Sequence, residues 1–259
     1  MIEKEPVVTP VPLALGVNKV TYSYGPGPGA ALIDVSLQLR SGQVSFLLGP
    51  NSAGKTTLFS LICRLLALQQ GDVEIAGRSL RSSGPEVMTD VGIVFQQQTL
   101  DLDLSVRQNL RYFAALRGLR QTDADHRIDE ELSRIGMAER ASEWVRALNG
   151  GHRRRVEIVR ELICRPKMLL LDEPTVGLDA QTRRSLVTFV HAQARERGVA
   201  VLWATHLLDE AEPDDGLVVL SRGEVKAAGS VRDIISASGA ESLEAAYAKL
   251  TRRPAEAAA

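Results

Sequence analysis

Val44-Ser45-Phe46-Leu47-Leu48-Gly49-Pro50-Asn51-Ser52-Ala53-Gly54-Lys55-Thr56-Thr57 is the stretch on which the fold turns. Its first five residues form a nearly unbroken apolar run of strand length, the pattern of a strand covered on both faces. A glycine-rich loop follows. Beyond it, Leu58, Leu61, Ile62, Leu65 and Leu66 recur at helical spacing and predict a helix over residues 56–69, with Gly71 as its stop. Gly49 to Thr56 matches G-x-x-x-x-G-K-[ST] in the strand-loop-helix setting that the pattern requires. The loop residues Gly49, Pro50, Asn51, Ser52, Ala53 and Gly54, with Lys55, Thr56 and Thr57 at the helix start, are therefore the candidate phosphate-binding set. Backbone N–H groups in such a loop curl around phosphate oxygens, and glycine allows the dihedrals that the curl needs. The helix N-terminus adds its dipole. Lys55 is placed to reach the outer phosphates of a nucleotide, and the Thr56 hydroxyl to ligate Mg²⁺. Alone, the motif specifies a nucleotide binder and no more.

A second element narrows the chemistry. Met168-Leu169-Leu170-Leu171-Asp172-Glu173 is an apolar strand that ends in two carboxylates. Asp172 emerges at the C-terminal edge, where ligands of open α/β sheets bind. It is placed to hold Mg²⁺ through its hydration shell, and Glu173 to orient or deprotonate an attacking water.

Around these two elements the chain reads as strands alternating with helices. Strands are expected over residues 17–24, 32–39, 73–77, 91–95 and 199–204, a strand pair around 216–228, a turn at 25–29 (Gly-Pro-Gly-Pro-Gly), and a helix near 182–197. Residues 105–164, rich in Arg, Glu and Leu, predict an all-helical block. The reading is an α/β fold: a mostly parallel sheet covered on both faces, short strands with turns ahead of it, and a helical second lobe inserted midway. Residues 1–14 and the last few residues from 252 have the composition of loose tails.

The bulk composition excludes several classes. The chain has 259 residues, 44% hydrophobic and 24% charged, with a formal net charge of -1. That is ordinary for a globular protein and gives no global field that points to nucleic acid or anionic lipid. No apolar run approaches the ~18 residues of a membrane span. The acidic, proline-rich N-terminus lacks the layout of a signal peptide, so a cytoplasmic location is expected. Cys63 and Cys164 fall in helix-like segments and are expected to be reduced and buried.

Taken in order with three further motifs, these elements resemble the ATPase domain of ATP-binding cassette (ABC) transporters over about residues 15–230. Leu148-Asn149-Gly150-Gly151-His152 is similar to the family signature Leu-Ser-Gly-Gly-Gln, with Asn149 in place of Ser and His152 in place of Gln. Gly177-Leu178-Asp179 resembles the loop that crosses the family's dimer interface, and His206 the histidine that senses the γ-phosphate. Gln96 resembles the glutamine that contacts Mg²⁺ and the attacking water, although Gln97 and Gln98 stand beside it. Tyr24 resembles the aromatic that stacks on adenine, with core packing beside Tyr22 as the plainer reading. The resemblance implies a P-loop NTPase (RecA-like) core with an N-terminal antiparallel β-subdomain and an inserted α-helical subdomain at about 97–165. The cassette would span 15–235, and a C-terminal helix and tail 236–259. It implies ATP and Mg²⁺ as ligands. Glu173, His206, Gln96 and Lys55 would be the catalytic set, and Thr56, Gln96 and Asp172 the metal set.

The resemblance also implies partners. Two chains, expected to be identical, would sandwich two ATP molecules, with Asn149, Gly150, Gly151, His152 and Asp179 of one chain closing over the nucleotide of the other. A separate permease would be met through residues 99–110, on the cytoplasmic face of the inner membrane. The tail around Glu241 to Tyr247 is similar to that of exporter ATPases, and the signature segment also resembles ATPases associated with pyrroloquinoline-quinone-dependent alcohol dehydrogenase systems. Two rivals remain. A soluble ABC ATPase that acts on ribosomes or DNA would carry two cassettes or long coiled coils, and neither is seen here. A cassette that only binds ATP is compatible with Asn149 and His152 but not with intact Lys55, Asp172, Glu173 and His206. Arg153, Arg154 and Arg155 oppose the dipole at a helix start and require a partner or a solvated face. Without interleaved aromatics they do not read as a nucleic-acid patch.

Overall fold

The computed structural model describes residues 12–25 and 29–252. Most of the expected N-terminal tail, the core of the Gly-Pro turn and the end of the C-terminal tail lie outside the described residues. Leu13 and Ala14, expected as tail, already belong to the first strand.

In chain order the elements are β1 (Leu13–Tyr22), β2 (Leu32–Arg40), β3 (Val44–Leu48), α1 (Lys55–Ile62), β4 (Gln70–Ile75), β5 (Arg78–Ser79) and β6 (Val91–Val94). The inserted lobe is α2 (Val106–Leu116), α3 (Gln121–Arg134) and α4 (Gly150–Leu162). The chain then returns through β7 (Met168–Asp172), α5 (Ala180–Arg197), β8 (Ala200–Thr205), β9 (Gly216–Ser221), β10 (Glu224–Ser230), α6 (Val231–Ser238) and α7 (Leu243–Thr251). One sheet has the order β2-β1-β4-β5 and is antiparallel. The other has the order β10-β9-β3-β8-β7-β6 and is parallel except for its β9–β10 hairpin edge.

The apolar runs work as strands because alternate residues serve two cores. From β7, Met168 and Leu170 enter a cluster shared with α1 and the antiparallel sheet, and Leu169 and Leu171 enter one shared with α5, α6 and α7. In β8, Leu202 and Ala204 face the first cluster and Val201 and Trp203 the second. In β3, Leu47 faces the first and Phe46 and Leu48 the second. Each fully buried Leu or Phe side chain contributes about 1.5–3 kcal/mol. A third cluster, with Val106, Leu110, Ile128, Leu132, Val156 and Val159, holds the helical lobe together.

The starts of α2, α4, α5, α6 and α7 are capped by side chains, and those of α1 and α3 are not. Ser105 and Gln108 form a capping box at α2. Asp179 caps α5, and Gly198 closes it in the left-handed conformation. Two expectations fail between residues 63 and 71. The helix predicted over 56–69 ends at Ile62, and Gly71 lies within β4 rather than stopping a helix. The chain leaves α1 at Arg64, which has φ +57°, and the amides of Leu65 and Leu66 both donate to Ser60 O. Arg64 Nη1 then donates to Ser83 O at 2.9 Å and Gly84 O at 2.8 Å, which fixes the turn. Leu65 is consequently exposed. Cys63 and Cys164 are free and only partly buried, each just beyond a helix end.

Candidate active site

The loop between β3 and α1 opens at the C-terminal ends of the parallel strands, as the sheet topology requires. Glycine is obligatory twice. A Cβ on Gly49 would stand 2.4 Å from Leu220 O and 2.9 Å from Ala53 Cβ. Gly54 has φ +109° and would put a Cβ 2.7 Å from Ala31 O. The loop is thus pressed against the β9–β10 turn, where the Gly223 amide donates to Ala53 O at 2.9 Å. Lys55 is buried, and its Nζ folds back to donate to Gly49 O at 2.5 Å. Burial holds the Lys55 ammonium below its usual range, and the charges of Glu173 and Asp172 oppose that shift.

A cavity of about 730 Å³ gathers Tyr24, Pro50 to Thr57, Gln96, Asp172, Glu173 and His206. Of the three neighbouring glutamines, Gln96 lines it and Gln97 and Gln98 do not. Tyr24 lies beyond the end of β1, 68% exposed, while Tyr22 is buried in the core. The two rings meet edge to face at 5.1 Å, and the Tyr24 hydroxyl sits 3.0 Å from Thr57 Oγ1. Tyr24 is therefore a wall of the cavity rather than core. His206 Nδ1 is 3.3 Å from Glu173 Oε1. Glu173 has φ +45°, a left-handed backbone that costs an ordinary side chain about 1–3 kcal/mol and concentrates at functional sites. Its amide donates to Ala204 O at 2.8 Å, which locks the conformation to β8.

Burial pushes the Asp172 carboxyl up, and Glu173 beside it pushes it further, against the pull of Lys55 and Arg154. Two carboxylates thus face a cavity that also holds a hydroxyl and an amide. Among the described residues no three His, Cys, Asp or Glu cluster to hold a metal by themselves. This oxygen-rich but incomplete donor set suits Mg²⁺, which keeps waters and shares its coordination with substrate phosphates.

Asn149 to His152 and Asp179 do not line the cavity. They lie near one another elsewhere, through Leu178 and Thr182, with Asn149 and Asp179 exposed and Gly151 buried. Asn149 caps α4, its Oδ1 accepting from the His152 amide at 2.9 Å. Its Nδ2 group is left as a free donor among the described residues, at an exposed position. Gly151 fits against Thr182 of α5, where a Cβ would meet Thr182 Cγ2 at 2.2 Å, and Gly150 faces Leu178. His152 sits 2.9 Å from Arg140 Nη1. Burial, together with Arg140 and Arg155, lowers its affinity for a proton, so the neutral ring accepts from Arg140.

The three consecutive arginines of α4, Arg153 to Arg155, find partners inside the fold. Arg153 donates to Val145 O and Arg146 O, and Arg155 to Ser185 Oγ. Arg154 is 4% exposed and ion-paired to Glu157, so a solvated face does not describe it. Residues that the sequence reading missed include Ala31 and Val176 in the cavity wall, which carry no chemical signal. Thr175 and Glu210 were also missed; they hydrogen-bond in a buried pair that joins the segment after Glu173 to the one after His206. The acidic run after His206 was the available signal for Glu210.

The chain matches the ABC transporter family over residues 32–176. It is 35% identical over 228 residues to the doxorubicin resistance ATP-binding protein DrrA of Mycobacterium tuberculosis, covering 88% of this chain and 69% of that one. It is 36% identical over 234 residues to the Nod factor export ATP-binding protein I of Cupriavidus pinatubonensis, covering 89% and 71%. The dimeric post-hydrolysis structure of the ATP-binding cassette MJ0796 with ADP and Pi superimposes with a TM-score of 0.72 at 26% identity, covering 84% of this chain and 99% of that one.

Proposed function

The chain belongs to the ABC transporter family as an ATP-binding, ATP-hydrolysing subunit, and from that premise we propose that it powers a separate membrane-spanning permease in the export direction. The observation that carries the reading is the single cavity that unites the phosphate loop with Asp172, Glu173, Gln96 and His206. Export is supported by the relative whose name states Nod factor export. The cassette begins with β1 at Leu13 rather than at 15, its helical lobe is about 97–165, and α6 and α7 form a C-terminal appendage that starts at Val231 rather than at 236. It acts at the cytoplasmic face of the inner membrane; among the described residues no helix is long and apolar enough to cross one.

The residues divide the work as follows. Backbone N–H groups of residues 49–57 and the Lys55 ammonium bind the phosphates, and Tyr24 stacks on the base. Lys55 exchanges its contact with Gly49 O for phosphate oxygens. Glu173 accepts a proton from a water as the water's oxygen attacks the γ-phosphorus in line, and the bond to the β-phosphate oxygen breaks. His206 holds the Glu173 carboxylate and donates to the γ-phosphate, and Gln96 orients the water. Thr56, Asp172 and Gln96 would hold Mg²⁺, which would supply positive charge against the phosphates. Two identical chains bind two ATP molecules between them, and the cassette dimer of MJ0796 supports that arrangement. Asn149 to His152 and Asp179 lie outside the cavity of their own chain, with Asn149 and Asp179 exposed, and would close over the partner's nucleotide, with α4 presenting its N-terminus to the phosphate.

The test is purification of the tagged chain from detergent-solubilised membranes of its native host, with mass spectrometry of what accompanies it. A stoichiometric partner with about six spanning helices supports the transport reading. Recovery only with ribosomal or DNA-associated proteins would overturn transport and leave the ATPase chemistry standing.

A further inference from the structure

The loop that carries Gln96 is held in an unusual way. Phe95 to Thr99 are all exposed and belong to no helix or strand. Among the described residues, Gln96 to Thr99 make no backbone–backbone hydrogen bond. Their tethers are instead side chains of α4, of which Arg160 adds only a long contact, 3.5 Å from Nη1 to Thr99 O. Arg154 donates from Nη1 to Phe95 O at 2.7 Å and from Nη2 to Gln96 O at 2.8 Å. The same Nη1 donates to Glu157 Oε2 at 2.8 Å. Glu157 Oε1 in turn accepts from the Thr99 amide at 2.6 Å and the Thr99 hydroxyl at 3.2 Å. One guanidinium and one carboxylate thus fix both ends of the loop.

Both side chains are buried, Arg154 at 4% and Glu157 at 0% exposure. A buried ion pair is a poor device for stability, because apolar residues of similar volume hold a fold as well or better. What the pair offers is geometry. A planar fork can grip two successive carbonyls at a fixed angle, which an apolar contact cannot do. Arg154 also sits five residues from Asn149, on the helix whose N-terminus is the signature segment.

We propose that Arg154 and Glu157 are positioning residues for Gln96, a clamp that holds the nucleotide-facing loop to the helix that carries the signature segment. The proposal deepens the reading given above and rests on it, since it takes Gln96 as the residue that orients the water. Gln96 has a free side chain and an anchored backbone, so its amide reaches the cavity from a fixed point. When α4 moves, Gln96 moves with it. The water at one nucleotide is therefore set by the same rigid body that presents Asn149 to His152 to the other.

The experiment is a mutant cycle on the full chain purified with its membrane subunit, read as phosphate release at saturating ATP. The variants are Gln96→Ala, the pair Arg154→Leu with Glu157→Leu, and all three changes together. The expected result for the leucine pair is a chain that folds, binds ATP as the parent does, and loses about 10-fold to 100-fold in kcat, the scale of a misplaced reacting group. In the Gln96→Ala background the leucine pair is expected to cost almost nothing further, because the group being positioned is gone. A leucine pair that lowers kcat by the same factor with and without Gln96 would overturn the clamp and leave Gln96 in its role. So would a folded leucine pair at full rate alongside a slowed Gln96→Ala. A full rate for Gln96→Ala itself would overturn the role of Gln96, and the clamp with it. Should the leucine pair not fold, Arg154→Lys serves in the same cycle, since it keeps the charge beside Glu157 and gives up the fork.

Discussion

Glu173→Gln exchanges one carboxylate oxygen for an amide nitrogen and keeps the side chain's size. The backbone at φ +45° and the bond from its amide to Ala204 O at 2.8 Å do not depend on the carboxylate, so the loop keeps its shape. What is lost is the proton acceptor beside His206. Loss of a general base costs about 10²–10⁴ in rate, or about 2.7–5.5 kcal/mol of barrier. ATP binding is expected to hold or tighten, because one of the two carboxylates that face the phosphate loop loses its charge. Stability is expected to hold or rise as well. The Asp172 carboxyl is raised by burial and then by Glu173. A carboxyl raised in the fold opposes folding once the pH exceeds its unfolded value, and that penalty is complete above the folded one. Removing Glu173's charge lowers the folded value and so reduces the penalty at neutral pH. The assays are phosphate release at saturating ATP, affinity for a fluorescent ATP analogue, and thermal melting without nucleotide. Phosphate release at the parent rate would refute the assignment of Glu173. So would a variant that turns over slowly only because it no longer binds ATP.

Three further outcomes are expected. Gly49→Ala places a Cβ 2.4 Å from a backbone carbonyl, so the loop must shift; ATP affinity should collapse and the melting point fall by the equivalent of about 1–3 kcal/mol of overpacking, which titration calorimetry and melting will check. Asn149→Ala removes the cap of α4 and should cost about 0.5–2 kcal/mol of stability, while the isolated chain binds ATP unchanged because Asn149 lies outside its own cavity; weakened binding by the monomer would count against the division of the two surfaces. Buried His191 donates from Nδ1 to Val187 O and from Nε2 to Asp215, and although burial opposes its protonation, those bonds and the charges of Asp215 and Glu212 raise its proton affinity overall. A raised histidine stabilises fully below its unfolded value of about 6.5 and loses that contribution as pH rises through the folded one, so the melting gap between the parent and Asp215→Asn should be widest at acid pH and close towards alkaline pH.

The relation between sequence and structure differs from element to element. Val44 to Leu48 and Met168 to Leu171 were legible as strands because residues covered on both faces must be apolar in an unbroken run. The helix over 56–69 was read too long for a related reason. The periodicity of Leu65 and Leu66 continued past the true end, and Arg64 occupies a left-handed conformation that glycine usually marks. Tyr24 and Tyr22, two residues apart, looked equivalent in sequence. Only the end of β1 at Tyr22 separates a core ring from a cavity wall. Of the three consecutive glutamines, Gln96 was already favoured in sequence as the first after the apolar strand, and it is the one that lines the cavity.

By itself the sequence determined the chemistry: a phosphate loop, a strand that ends in Asp172 and Glu173, and His206 after another apolar strand. Those groups are specified by local backbone shape and by residue type, and both are written in short contiguous motifs. The tertiary structure alone decided which groups meet. Arg154 was legible as a misplaced charge at a helix start, but its partners Phe95 and Gln96 are set by how α4 packs against the end of β6. The same holds for Gly49 against Leu220 and for Thr175 with Glu210. Such contacts join residues tens to more than a hundred positions apart, and their energies depend on distances of a few ångströms that no local pattern encodes.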